Sequence, residues 1–219
     1  MRPGTAACRG EGIAALGLAS ALAYIPCDGE GTSVSQRRGQ KWRFQKMGDI
    51  PYDVVVLLGD STVGKSNIAS QFMQGEFQPD SSPTIGVKPT TKIVQCNSKA
   101  VKVNIWDTAG LEKYRAPVVY YNDAVAVMLV YDINKRQSFE NAARWLDEAR
   151  RHGEPGIVFM LVGNKTDLER RRSVTTEEGK KFAKLNKLMF IETSACENSQ
   201  VELAFQTILN GMSDFCLYA

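Results

Sequence analysis

The chain has 219 residues, of which 43% are hydrophobic and 23% are charged. This length suffices for one domain of ordinary size, and the composition excludes wholesale disorder and fibrous repeats. The formal net charge of +3 is too small to indicate a nucleic-acid-binding protein.

The positive excess is confined to a leader, residues 1–46, with seven basic and three acidic side chains against 20 and 21 in the remainder. Its apolar run Ile13–Ile25 is too short to span a bilayer but has the length of a signal-peptide core. Three interpretations remain: a targeting presequence, an ordered functional extension, or an upstream extension of a reading frame that starts at Met47. The domain-like pattern that begins at Ile50 favours the third. We therefore expect a non-globular extension over 1–48, one domain over 49–215 and a short C-terminal end over 216–219.

Apolar runs and amphipathic segments alternate from Tyr52 onward. Continuous β-favouring runs predict strands buried on both faces, as in a parallel sheet: Val54–Leu58, Val125–Val130 and Ile157–Val162. The segments Lys92–Cys96 and Val101–Trp106 flank a turn and predict a hairpin.

Later in the chain, three helices and a last short strand are predicted. The predicted helices are Ser138–Arg151, a segment from Thr175 to about Lys187, and Val201–Gly211. The second helix opens with a capping box. The predicted strand, Met189–Glu192, lies between the second and third helices. The fold class is therefore α/β, with a mainly parallel sheet and one antiparallel edge.

A phosphate-binding loop is predicted directly after the first strand. The motif G-x-x-x-x-G-K-[ST] is met by Gly59, Asp60, Ser61, Thr62, Val63, Gly64, Lys65 and Ser66. Glycines let backbone N–H groups surround an anion, and the next helix adds its positive end. Lys65 is then expected to reach the β- and γ-phosphates, and the Ser66 hydroxyl suits Mg²⁺.

A second motif, Asn164-Lys165-Thr166-Asp167, follows the third buried run, where α/β sheets bind ligands. A carboxylate here can accept hydrogen bonds from N1–H and the 2-amino group of guanine, which adenine does not offer. Alone, this segment would also fit a helix-capping turn. Together with the phosphate loop it predicts a guanine pocket.

These motifs, together with Pro83–Gly86 (PTIG), Trp106–Gly110 (WDTAG) and Thr193–Cys196 (TSAC), resemble those of small GTPases of the Ras superfamily, most closely the Rab branch. The resemblance covers about Tyr52 to Phe215. It implies a P-loop GTPase fold with a six-stranded, mostly parallel sheet flanked by helices and an antiparallel hairpin at one edge. It also implies GTP hydrolysis, with GTP/GDP and Mg²⁺ as cofactors.

The resemblance further implies roles for individual residues. Ser66 and Thr84 would hold Mg²⁺, with Asp107 nearby through water. Backbone N–H groups of Gly110 and Ala195 would contact the γ-phosphate and the base oxygen, while Phe77 stacks on guanine. Residues implied to complete the nucleotide site are Asn164, Lys165, Asp167, Ser194 and Cys196, and the catalytic set is Lys65, Thr84 and position 111. Trp106, with Tyr120 or Tyr121, would belong to the surface that effectors read.

Position 111 departs from the family pattern, because Leu111 stands where the family has Gln in D-T-A-G-Q-E. The Gln amide orients the attacking water, and leucine has no group that can do so. We therefore expect slow hydrolysis, unless another residue offsets the change.

Other departures concern partners and conformation. Lys88-Pro89 replaces an acid and an aromatic residue of the Rab pattern, and an edge strand tolerates the proline. Thr62 stands where glycine is common. Cys216 is fourth from the end, as prenylation requires, but neither a spacer nor a basic stretch precedes it.

The sequence thus predicts a GTP-binding switch of vesicle traffic with slowed hydrolysis, or alternatively a GTP-locked scaffold that binds effectors and hardly turns over. Effectors, an exchange factor and a GTPase-activating protein are expected at switch regions near Thr84 and Gly110. We expect a cytoplasmic monomer with no nucleic-acid partner. Any attachment to the cytosolic face of endomembranes would depend on Cys216.

Overall fold

The computed structural model describes residues 52–79, 84–96, 99–110, 121 and 124–217. The predicted extension over 1–48, Leu111 and Tyr120 lie outside these residues. The predicted domain limits therefore stay predictions.

The described strands form one six-stranded sheet with the order β2-β3-β1-β4-β5-β6. They are β1 (Tyr52–Leu58), β2 (Val87–Cys96), β3 (Lys99–Thr108), β4 (Ala124–Asp132), β5 (Val158–Asn164) and β6 (Met189–Thr193). Only β2 and β3 pair antiparallel, and the other neighbours are parallel. The predicted mostly parallel sheet with an antiparallel edge hairpin is confirmed.

The edge hairpin is longer than its apolar pattern predicted. Strand β2 begins at Val87, five residues before the predicted start, and its register places Pro89 opposite Trp106. Because β2 lies at the edge of the sheet, it has neighbours on one side only, and proline is accommodated there. The first residues of β2 are mostly polar and exposed, so the sequence has no apolar pattern there that would predict a strand.

Helices in the described residues follow the predicted order. They are α1 (Lys65–Gln74), α2 (Arg136–His152), α3 (Thr176–Asn186) and α4 (Val201–Leu217), with a 3-10 helix over Thr166–Arg171. The capping box is present: the backbone N–H of Glu178 donates to Thr175 Oγ1, and the N–H of Thr175 donates to Glu178 Oε2. Helix α4 continues six residues beyond Gly211, its predicted end.

The central strands are buried because helices cover both faces of the sheet. On one face, α1 and α4 meet through the stacked rings of Phe72 and Phe205, whose centroids are 3.9 Å apart. On the other face, α2 and α3 cover a second cluster that includes Trp145 and Leu146. This burial explains the continuous apolar runs of the central strands. The loops that follow β1, β3, β5 and β6 meet at the carboxyl edge of the sheet.

Two helical glycines allow a test of this packing. A Cβ on Gly179 would lie 2.6 Å from the Phe190 ring and 2.8 Å from the Tyr131 hydroxyl, whereas one on Gly211 would meet the flexible end of Met189. We expect Gly179→Ala to lower the free energy of unfolding by about 1–3 kcal/mol, although alanine favours helices. The matched control Gly211→Ala should stay within about 1 kcal/mol of the wild type, because the methionine can move. Urea unfolding measures both, and equal effects would contradict the packing argument.

Candidate functional site

A cleft of about 330 Å³ lies at the carboxyl edge of the sheet. Most of the predicted site residues line it: Ser61, Thr62, Gly64, Lys65, Ser66, Phe77, Thr84, Gly110, Asn164, Lys165, Asp167, Ala195 and Cys196. Asn67, Pro79 and Leu168, which were not predicted, line it as well. The predicted residues Gly59, Asp60, Val63, Asp107 and Ser194 are absent from this lining and support it from behind.

The loop after β1 wraps around the ammonium group of Lys65. This side chain is only 5% exposed, and its Nζ donates to the carbonyl oxygens of Gly59, at 2.9 Å, and Asp60, at 2.8 Å. Burial lowers the pKa of Lys65 to about 8, and the opposing charges of Asp107 and Asp60 limit this effect. The arrangement concentrates positive charge at the floor of the cleft, where an anion would bind.

Close backbone approaches explain why glycine occupies two positions near this loop. A Cβ on Gly59, whose φ is +141°, would lie 2.1 Å from the Val130 carbonyl oxygen. A Cβ on Gly110 would lie 2.3 Å from the backbone of Asp60 and Ser61. The segment after β3 therefore reaches the phosphate loop through a residue that cannot carry a side chain.

Thr62 adopts the left-handed backbone conformation, with φ +69°. This region is unfavourable for a β-branched residue and costs glycine nothing. The substitution for a common glycine therefore carries a conformational cost, which the sequence pattern alone did not reveal. Its carbonyl oxygen accepts a 2.8 Å hydrogen bond from Lys165 Nζ, so the strained residue also joins two loops of the site.

Three oxygen-bearing side chains meet beside Lys65. The hydroxyls of Ser66 and Thr84 lie 2.9 Å apart, and Thr84 Oγ1 lies 3.5 Å from Asp107 Oδ2. Among the described residues, no group hydrogen-bonds the buried Oδ1 of Asp107. Burial raises the pKa of this carboxyl, and the Ser66 hydroxyl and Lys65 partly oppose the shift. An unpartnered carboxylate oxygen beside two hydroxyls fits Mg²⁺, which prefers oxygen ligands.

The base-side loops are joined by the amide of Asn164, which is 1% exposed. Its Nδ2 donates to the Val63 carbonyl at 2.9 Å. Its Oδ1 accepts from the Thr193 hydroxyl and the Ala195 backbone N–H, each at 3.2 Å. One side chain thus ties the phosphate loop to the loops after β5 and β6.

Asp167 is held by the hydroxyl of Ser194, which donates to Asp167 Oδ1 at 2.6 Å. Its position in the cleft leaves the carboxylate available to accept further hydrogen bonds from a ligand. The Phe77 ring, 37% exposed, lines the same cleft. Lys165 pairs with Asp132, with Nζ 2.7 Å from Oδ2. A carboxylate acceptor and an aromatic face are the groups that a planar base with N–H donors requires.

Several positioning residues lie outside the motifs and were missed, namely Asn141, Trp145, Arg172 and Glu192. Asp60 turns its carboxylate toward α2, where it accepts hydrogen bonds from Asn141 Nδ2 at 2.7 Å and Trp145 Nε1 at 2.9 Å. Arg172 binds Glu192 at 2.7 and 3.0 Å and so ties the segment after the 3-10 helix to β6. Sequence distance hides both contacts, since neither has a spacing signature.

Of the two tyrosines given as alternatives for the effector surface, Tyr121 does not fit, and Tyr120 lies outside the described residues. Tyr121 is fully buried in the core cluster beneath α2, and its hydroxyl lies 3.5 Å from Glu148 Oε1. Trp106 is half-buried.

Comparison with known proteins shows the family of this chain. Residues 54–214 match the family model described as Ras family. The chain belongs to the Ras family.

Its relatives place it in the Rab branch. It is 54% identical to Ras-related protein Rab11D of Nicotiana tabacum over 71% of this chain and 70% of the relative. It is also 54% identical to RABA2b of Arabidopsis thaliana, over 71% and 73%, and 53% identical to RGP1 of Oryza sativa subsp. japonica, over 71% and 69%. The chain is a small GTPase of the Rab type, a GTP-hydrolysing switch of membrane traffic that uses GTP/GDP and Mg²⁺ and is recognised by regulators and effectors.

The strain at Thr62 predicts a stabilising substitution. Thr62→Gly should raise the free energy of unfolding by about 1 kcal/mol, which corresponds to about 2–4 °C in the midpoint of thermal unfolding. Thr62→Ala removes the branch but keeps Cβ, so it should raise the free energy of unfolding by less than Thr62→Gly does. Both variants retain the carbonyl that Lys165 contacts. Thermal unfolding in excess GDP measures the series, and a glycine variant no more stable than the wild type would contradict the strain.

The hub role of Asn164 predicts a large loss on truncation. Asn164→Ala leaves three buried partners without their hydrogen bonds and should lower the free energy of unfolding by about 2–4 kcal/mol, with faster GDP dissociation. The matched control is Asn141→Ala, because Trp145 still holds Asp60 there, and it should cost about 1 kcal/mol. Urea unfolding and release of a fluorescent GDP analogue measure both. Equal losses would argue against a hub at Asn164.

Proposed function

We propose that this Rab-type switch hydrolyses GTP slowly, because its binding machinery is complete while its water-orienting position carries leucine. The observation that carries the proposal is this contrast. Most of the predicted binding residues line one cleft, and Leu111 follows Gly110, which lies against the phosphate loop. Binding and hydrolysis would therefore be separated in this chain.

In this proposal, the phosphate loop and Lys65 bind the phosphates, and Ser66, Thr84 and Asp107 hold Mg²⁺. When bound, Mg²⁺ would supply positive charge that offsets the charge of the phosphate oxygens. Ser66 and Thr84 already have their hydroxyls within 2.9 Å of each other, which supports a shared ligand. The N–H of Gly110 would contact the γ-phosphate and so couple the segment after β3 to the presence of GTP.

On the base side, Asp167 would accept the guanine N1–H and 2-amino hydrogens, with Phe77 against the ring. Asn164, Lys165, Ser194 and Cys196 would complete this pocket. The backbone N–H of Ala195 donates to Asn164 Oδ1, so a base oxygen would share or replace that hydrogen bond. The 2.6 Å hydrogen bond from Ser194 orients the Asp167 carboxylate, which supports a role of Asp167 in guanine recognition.

Hydrolysis requires a positioned water as well as a bound nucleotide. Leucine can neither donate to a water nor accept from it, so position 111 would not orient the attacking water. The expected result is slow intrinsic hydrolysis and a long-lived GTP form.

Leu111→Gln tests this expectation. Restoring an amide should raise the single-turnover rate of GTP hydrolysis by about tenfold or more, since the reaction depends on positioning. The control Leu111→Ala changes size without adding a polar group and should leave the rate unchanged. Protein that starts at Met47 and carries Mg²⁺ and GTP is suitable. Equal rates for the glutamine variant and the wild type would show that another residue already orients the water.

A second candidate is a GTP-locked scaffold that displays its effector surface and hardly turns over. Leu111 favours it, while the otherwise complete site favours a cycling switch. The nucleotide on freshly purified protein distinguishes the two. Mostly GDP would exclude the scaffold, whereas mostly GTP in the wild type but not in Leu111→Gln would support it.

Effectors and regulators would bind the switch regions near Thr84 and Gly110. The exposed surface near Thr84 supports this binding, because it combines apolar and charged side chains. Ile85 is 84% exposed, and Lys88 and Pro89 on β2 are exposed nearby. We further propose a monomer that resides in the cytoplasm and on the cytosolic face of endomembranes. In the part of the chain that the structure describes, none of the helices is long and apolar enough to cross a bilayer. Attachment through Cys216 remains a prediction.

A further inference from the structure

The basal end of the domain, opposite the cleft, gathers the carboxyl ends of α2, α3 and α4. Helix α3 ends at Asn186, just before β6 begins. On α4, Gly211 lies against Met189 and Val158, which begin β6 and β5. The guanidinium of Arg150, near the end of α2, donates to the carbonyl oxygen of Asn186 and lies over the ring of Phe159. We define the basal end as residues 147–158, 181–189 and 211.

Exposed charge at the basal end is mainly basic. Five exposed basic side chains stand there, Arg150, Arg151, Lys181, Lys184 and Lys187, against the exposed acids Asp147 and Glu154. Beyond residue 46 the chain is almost neutral, with 20 basic and 21 acidic residues, so this excess is local. Such a surface attracts polyanions.

An apolar side chain projects from this basic surface. Leu185 is 74% exposed, one of the most exposed large hydrophobic residues among those described. Lys181 and Lys184 lie four residues and one residue before it on α3, and Lys187 follows the helix in a left-handed cap with φ +57°. A single exposed leucine is ordinary, but leucine surrounded by lysine is the composition of helices that bind at membrane interfaces.

We propose that the basal end docks on an anionic membrane surface, with the lysines at the lipid headgroups and Leu185 entering the interface. An acidic protein partner fits less well, because Leu185 protrudes from the surface and lines no described cleft. The same end receives the end of α4, which contains Cys216. Docking would turn the nucleotide cleft toward the cytosol, where regulators can reach it. The inference rests on the proposed membrane role and is independent of the hydrolysis rate.

Cosedimentation with vesicles tests the surface. The full chain is mixed with phosphatidylcholine vesicles that contain about 30% phosphatidylserine, at about 0.1 M salt. Each basic residue near such a surface contributes about fivefold in partitioning, so Lys181→Glu with Lys184→Glu should lower binding at least about tenfold. Leu185→Ser, which leaves the charge intact, should lower it about threefold.

The matched control reverses a basic pair at the other end of the domain. Arg170 and Arg171 are exposed on the 3-10 helix beside the cleft, and Arg170→Glu with Arg171→Glu changes the net charge equally. This variant should keep most of the binding, and the leader is the same in every protein. Bound GDP, measured for each variant, shows that the nucleotide site is intact, so loss of fold or of nucleotide binding is distinguished from loss of docking.

The proposal is supported if the lysine reversal and Leu185→Ser lose binding while the control does not. It is overturned if both charge reversals lose binding equally, because the attraction would then reflect net charge alone. Equal binding of the wild type to neutral phosphatidylcholine vesicles would also overturn it. A further outcome is that the wild type binds a polyglutamate peptide and not the vesicles, with the lysine reversal abolishing the peptide binding. That result would overturn membrane docking and indicate an acidic protein as the partner of the basal end.

Discussion

The buried amide of Asn164 is the contact on which the site depends. It bonds the Val63 carbonyl, the Thr193 hydroxyl and the Ala195 N–H, and so fixes three loops that arise from three different strands. Loops of this kind are otherwise free to move independently, because each is anchored only at the end of its own strand. The amide therefore joins the predicted phosphate loop to the predicted base-side loops through direct hydrogen bonds.

The phosphate loop itself is held from two sides. Lys65 fills its interior and bonds its carbonyl oxygens, while Asn141 and Trp145 of α2 hold the outward carboxylate of Asp60. Gly110 touches the same loop from the segment after β3. A displacement of the phosphate loop would therefore move both α2 and the segment at Gly110, where one of the switch regions begins. This connectivity is what a nucleotide switch requires, since a few contacts must redirect a whole surface.

Much of the fold was readable from the sequence because buried parallel strands and a capped helix have strong local patterns. The runs at β1, β4 and β5 and the capping box at Thr175 follow directly from burial on both faces and from orphan N–H groups. The start of β2 was not readable, since Val87–Thr91 joins the sheet through backbone pairing with β3 and not through an apolar pattern. The predicted end of α4 was too early. Glycine commonly ends a helix, but Gly211 lies within α4, where its missing side chain leaves space for the Met189 side chain.

For this protein, the sequence by itself predicted the ligand chemistry, through the motifs of a phosphate loop and a guanine pocket, and showed that leucine stands where the family has a water-orienting glutamine. These are local, because each motif places its groups within a few neighbouring residues. Only the tertiary structure decided that Thr62 is strained, that Tyr121 is buried, that α2 supports Asp60, and that basic residues gather around Leu185 at the basal end. Backbone conformation, burial and contacts across more than 80 residues arise from packing the whole sheet, and no short pattern encodes them.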